Sequence, residues 1–320
     1  MDGAAIVREA GFDGCIELTN DSTRVVLEPN VGGRVLRYQL GGVEILYQDP
    51  GLDGVLWDGK ANILHPPAGR CDIGPEYGGL PRDEIWFGRW TAEIIGPRSA
   101  RMTSPKLRGS GLQLIREFQL DVASSHLRFI QIIRNQGTAP FHAFHWGRTF
   151  AVGDGIVLAP LPKLGRLPRG YALGTSPGIV EFLPPAEPNV FVRDGILNIK
   201  GPPAHPKFAF DVQPGWLAYV APLGLLFLKT FAVYPRRAYG ELAANNASIW
   251  YSSETNTTLW PSRRQVVELE PIGPQEIFVP GTGSSFTENW WLLQFPFPPD
   301  RQVDLDRVHA IVAETGTAAE

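Results

Sequence analysis

Short runs of alternating or continuous apolar residues recur from one end of the chain to the other, each bounded by Gly, Pro, Asn or Asp. Among them are CIELTN, TRVVLEP, RVLRYQL, VEILYQ, LRFIQIIRN, GWLAYVAP, GLLFLKTFAVY, ASIWYSS, QVVELEPI and EIFVPG. Successive side chains of a strand point to opposite faces, so a period of two marks a strand with one buried face. LQLIREFQLDV followed by SSHLRFIQIIRNQG reads as a hairpin that turns at Ser124 and Ser125. Repeated strands with turn signals between them predict an all-β sandwich or barrel. One stretch has a helical stripe instead. In PDRQVDLDRVHAIVAET, near residues 299–315, Val303, Leu305, Val308 and Ile311 fall on one side, which predicts a C-terminal helix.

Two segments break the strand pattern. Residues 50–90 mix Gly and Pro with Trp, His and acids, and residues 160–207 are rich in Pro and Gly. Irregular segments of that length are uncommon unless they build a binding site or move. Strand signals run through the middle of the chain without a boundary, so one domain over 1–320 is expected.

Composition narrows the function classes. The chain has 43% hydrophobic and 19% charged residues, a net charge of -4 and no basic run. That balance argues against nucleic acid or an anionic membrane as partner. Cys15 and Cys71 belong to no CxxC pair, so they signal neither a zinc ribbon nor a redox motif; a disulfide between them stays open. There is no basic leader with an apolar core and no apolar run of about 18 residues, so a cytoplasmic protein is the default expectation. GxSxG, Walker, GxGxxG-before-a-helix and HExxH motifs are absent. GTGSS at 281–285 follows Val279-Pro280 and reads as a turn.

FHAFHWGRTF, residues 141–150, sets two histidines and an arginine among aromatic rings. Strand parity places His142 and His145 on opposite faces and puts Arg148 on the side of His142, unless a bulge at Gly147 resets it. Glu268 and Glu270 share a face. Two such carboxylates are costly to bury unless a site uses them or a cation pairs them, and otherwise they face solvent. His65, Arg70, Asp72 and Glu76 lie together in HPPAGRCDIGPE. Their spacing matches no metal-ligand motif, and no metal is expected.

Four stretches, in this order, carry a family resemblance. ELTNDSTRVVLEPNVGGRVLRYQLGGVEILYQDP resembles the start of proteins with the galactose mutarotase-like fold, the β-supersandwich of aldose 1-epimerases. IIRNQGTAPFHAFHWGRTF, HPKFAFDVQPGWLAYVAPLGLLFLKTF and VVELEPIGPQEIFVPGTGSSFTENWWL look like later strands of that fold. The resemblance covers roughly residues 15–295 and is nearest to the uncharacterised DUF4380-type branch. It implies a large β-sandwich with a short C-terminal helix, and an enzyme that interconverts sugar anomers with a general base and a general acid. By this resemblance Glu270 is the base, His145 the acid at the ring oxygen, and His65 helps hold the sugar, although HPPAG stands where the family has HGG. Arg148, Arg70, Glu268, Glu76 and Lys207 are implied substrate contacts, with Trp57, Trp86 and Trp90 as stacking surfaces or core rings. Lys229, Trp216, Glu254, Glu288 and Trp290 match family-like positions with weaker roles. No cofactor is expected, and the implied partner is a small-molecule sugar or oligosaccharide. A non-catalytic sugar binder or sensor, or a lyase or hydrolase using Glu268 and Glu270, are the alternatives. All of these roles require His145 and Glu270 to meet across one hollow.

Overall fold

The structure, a computed structural model, describes residues 2–59, 66–76, 80–176, 178–252 and 264–318. The period-two segments form strands with one face inward: Leu127, Phe129, Gln131, Ile133 and Asn135 are buried while the residues between them are more open. The hairpin predicted at Ser124-Ser125 is present, with Leu120 opposite Leu127. Its turn is tied by the Asp121 carboxylate, which accepts from the Ala123 and Ser124 amides and the Ser124 hydroxyl, the usual use of Asp in a turn.

The strands pair antiparallel into two sheets. The first runs β1 (Ala4–Glu9), β2 (Phe12–Thr19), β3 (Thr23–Glu28), β4 (Arg34–Leu40), β6 (Gly69–Gly74), β11 (Phe141–Val152), β21 (Val266–Pro271), β20 (Ala247–Tyr251), β17 (Lys207–Phe210), β13 (Ala172–Ser176) and β14 (Ile179–Glu181). β5 (Val43–Glu44) joins it on β4, and β22 (Glu276–Phe278) joins it on β11. The second runs β15 (Val190–Arg193), β16 (Ile196–Lys200), β12 (Ile156–Pro160), β18 (Trp216–Ala221), β19 (Leu225–Phe231), β23 (Gly283–Gln294), β10 (Leu127–Asn135), β9 (Leu112–Leu120), β8 (Ser99–Thr103) and β7 (Thr91–Gly96). The inner faces share one core that includes Leu27, Tyr38, Ile73, Phe118, Phe129, Tyr219, Phe227, Leu269 and Trp290. The fold is thus an all-β sandwich.

Helix α2 (Leu305–Ala318) lies where the apolar stripe predicted a helix. It starts six residues later than that stretch. Asp304 caps it, its Oδ1 accepting from the Arg307 amide at 3.0 Å. Val303, Leu305, Val308 and Ile311 pack on Trp216, Leu226, Leu228 and Trp291, so α2 covers the outer face of the second sheet. A short helix, α1 (Arg82–Phe87), stands inside the segment expected to be irregular. It sits against the Gly32-Gly33 turn, where both residues have positive φ and a Cβ would run into Trp86 or Trp90. The outer face of the first sheet has charged and aromatic side chains at its centre. No described helix is long and apolar enough to cross a membrane.

Candidate functional site

β6, β11 and β21 lie side by side and set the cluster. Arg148 pairs across strands with Arg70, and Trp146 with Asp72. Phe150 pairs with Glu268, and across β20 Glu268 meets Trp250 and Glu270 meets Ser248. Lys207 continues the row opposite Trp250. Each strand contributes alternate residues, so Arg70, Asp72, Trp146, Arg148, Phe150, Glu268, Glu270 and Lys207 share the outer face.

The charges are mutually satisfied in most cases. Arg148 Nε donates to Glu268 Oε1 at 2.7 Å, and its Nη1 lies 3.5 Å from Asp72 and 3.7 Å from Glu76. Arg82 pairs with the other Asp72 oxygen, and Trp86 Nε1 donates to Asp72 Oδ2 at 2.8 Å. Lys207 Nζ donates to Glu270 Oε1 at 2.7 Å, and Trp146 Nε1 donates to Glu270 Oε2 at 2.8 Å. Burial opposes ionisation of Glu268 and Asp72, but the arginines around them hold both below the usual carboxylate range. Burial pushes the Glu270 carboxyl up to about 7; neighbouring Glu268 adds to the rise and Lys207 restrains it. Glu241, 7% exposed, stands over the same face and burial raises its carboxyl too, against the pull of Lys207 and Arg148. Tyr239 beside it packs on the Trp146 group.

These groups include Arg70, Arg148, Glu76, Glu268, Glu270, Lys207 and Trp86, which the sequence reading had singled out. Others were missed. Trp146 shares the parity of Arg148 and could have been found by it. Arg82 and Glu241 come from a helix and a loop that carry no periodic signal.

His145 is a correction. It belongs to the opposite parity and points into the core between the sheets. Its Nε2 meets Ser284 Oγ at 3.1 Å and its ring lies against Phe286. Burial drives its pKa down to about 3, so it is neutral and only 2% exposed. The imidazole and the Glu270 carboxylate are therefore on opposite faces of the sheet, and no shared hollow joins them. Trp90 is a second correction: it lies in the inter-sheet core, stacked on Arg116 at 4.3 Å, because Arg116 is drawn inward by the carbonyls of Gly32, Gly33 and Cys71. Trp57 is half-buried with its ring 6.5 Å from Phe87, a contact outside the cluster. His65 and Glu254 lie outside the described residues. Lys229 and Glu288 form a buried pair at 2.8 Å on the inner face, with Trp290 Nε1 donating to Glu288. Trp216 supports α2. Cys15 and Cys71 are both free and buried.

A surface hollow of about 650 Å³ lies elsewhere, lined by Tyr171, Phe191, Arg166 and Asp211 among others. Its Arg166 is already engaged by Asp211 and by the Ala243 and Ala244 carbonyls. The chemistry is concentrated on the strand face.

Solved structures match this architecture over nearly its whole length. A galactose mutarotase-like protein from Lactobacillus casei superposes with a TM-score of 0.57 at 11% identity, covering 88% of this chain and all 100% of its own. One from Clostridium acetobutylicum gives 0.55 at 10%, covering 91% and 98%. A provisionally assigned aldose 1-epimerase from Escherichia coli K12 gives 0.58 at 13%, covering 87% and 98%. No protein-family model and no curated protein matches the sequence.

Proposed function

We propose that, on this galactose mutarotase-like fold, the outer face of the first sheet binds a sugar and interconverts its anomers. Glu270 is the base: it takes the proton of the anomeric hydroxyl as the bond from the anomeric carbon to the ring oxygen breaks. The electron pair goes to the ring oxygen, which Glu241 protonates. The open-chain aldehyde turns about its first carbon–carbon bond and closes on the other face, returning both protons. Trp146 and Lys207 hold the Glu270 carboxylate in place, Arg148 faces the hydroxyls, and the half-buried Trp250 offers a ring face for the sugar's C–H surface.

The observation that carries this reading is the geometry at Glu270, a fully buried carboxyl held by Lys207 and Trp146 with Glu268 on the same face. A buried carboxyl near pH 7, beside an ionised one, is suited to proton transfer at neutral pH. Glu268 is the weaker base, because Arg148 and Arg70 hold its carboxyl below the usual range whereas burial raises that of Glu270. Polarimetric relaxation of a freshly dissolved α-aldose tests it. The wild-type protein is expected to accelerate the relaxation, and Glu270→Gln to lower that acceleration by about 100-fold or more. An undiminished rate in the variant removes Glu270 from the chemistry. A second reading, binding without turnover, is favoured by His145 facing the core between the sheets instead of this face. It predicts saturable binding with no change in relaxation rate.

A further inference from the structure

Arg70 stands apart from the other cations of this face. Its Nε, Nη1 and Nη2 are buried, and no described residue accepts a hydrogen bond from any of them. The residue is 3% exposed. What it touches is aromatic: its Cζ lies 4.4 Å from the Trp86 ring centroid and 5.2 Å from that of Phe150. A ring face attracts the charge but gives the guanidinium's five N–H donors no lone pair. Arg148, directly opposite in the strand register, engages Glu268, Asp72 and Glu76. Like charges facing each other across a strand pair oppose folding, and so does a buried donor left unmade. Arg70 has both disadvantages; two ring faces and the carboxylates of Glu268, Asp72 and Glu76 favour its charge, but no described residue accepts from its donors.

We propose that Arg70 is the anion-recognising residue of the site and that the sugar bound there carries a carboxylate, as a uronic acid does. This rests on the sugar-binding reading above and adds the substrate class to it. A planar two-oxygen anion matches the guanidinium fork and takes two of its donors at once. A phosphate dianion is the poorer match, because the charges of Glu268, Asp72 and Glu76 also reach Arg70 and repel a second negative charge more. Since the donors have no exposure, entry of the carboxylate displaces the Trp86 or Phe150 ring that now covers them.

Titration calorimetry on the wild-type protein decides it, using uronic acids of gluco, galacto and manno configuration. Each is compared with its neutral methyl ester, its parent aldose and the aldose 6-phosphate. One uronate is expected to bind at least tenfold more tightly than its own ester and aldose. Arg70→Gln is expected to erase that preference, the ratio of acid to ester affinity falling to about one, and Arg70→Lys to restore part of it. Equal affinity for acid and ester overturns the carboxylate assignment alone and leaves the sugar reading standing. Preference for the phosphate ester overturns it in favour of the other anion. Silence towards every sugar in the panel overturns both. The acid–ester comparison needs no variant, so a misfolded Arg70 substitution does not blur the result.

Discussion

Glu270 is held by one lysine and one indole, and burial sets the direction of its titration, with Lys207 opposing the rise and Glu268 adding to it. Its folded pKa of about 7 lies above the ordinary value of 4.5. The ionised form, the base of the proposed reaction, is therefore populated as pH rises through 7, and kcat/KM is expected to climb across that range. Lys207 pulls the value down, so Lys207→Met is expected to move this limb to higher pH, read from a pH–rate profile. A limb that stays where it was would detach the activity from Glu270. For stability the sign is opposite. A raised carboxyl pKa contributes stability that is fully present below pH 4.5 and is lost as pH rises through about 7. His145 acts the other way. With its pKa lowered from 6.5 to about 3, its contribution is present above pH 6.5 and drains away as pH falls towards 3. His145→Gln keeps a polar group near Ser284 but removes the titration. Urea unfolding at several pH values is expected to show a flatter acid limb in this variant, and an unchanged slope would contradict the neutral, buried assignment.

β11 explains at the scale of one element why the site could be half read. Its twelve residues put Phe144, Trp146, Arg148 and Phe150 outward and Ala143, His145, Gly147 and Thr149 inward. Alternation is a local property, so the separation of His145 from Arg148 was legible in FHAFHWGRTF. Which parity meets solvent was not, because both faces of this strand are buried. The inward face is crowded by the Lys229–Glu288 pair, whose lysine also donates to Thr149 Oγ1 at 2.9 Å. A Cβ at position 147 would fall into the Glu288 carboxylate and come within 3.0 Å of Pro271 Cδ. Gly147→Ala is therefore expected to cost about 1–3 kcal/mol, as overpacking does, measured by chemical denaturation. A variant as stable as the parent would mean that the pair has slack the geometry does not suggest.

Across the whole molecule the two sheets are finished differently. The second has α2 laid over its outer face, whereas the centre of the first carries the charged cluster. Removing residues 303–318 would uncover Trp216, Leu226, Leu228 and Trp291. Each large apolar side chain returned to water costs about 1.5–3 kcal/mol. The truncated chain is expected to melt earlier and to self-associate, as seen by thermal unfolding and size-exclusion chromatography. A monodisperse truncation with the parent's Tm would show that α2 is dispensable.

The all-β character, the hairpin at Ser124-Ser125, the stripe of α2 and the shared parity of Glu268 and Glu270 were all written in the amino-acid order. They depend on spacing within a few residues, which periodicity records. The partners of the candidate site were not. Trp146 and Glu270 are 124 positions apart, and Lys207 and Glu270 are 63. Only packing of distant strands turned Arg148 outward and His145 inward, brought Glu241 over the cluster and left Arg70 against two rings with no acceptor among the described residues. Burial and charge proximity set those properties, and both come into being only once the sheets have closed on each other.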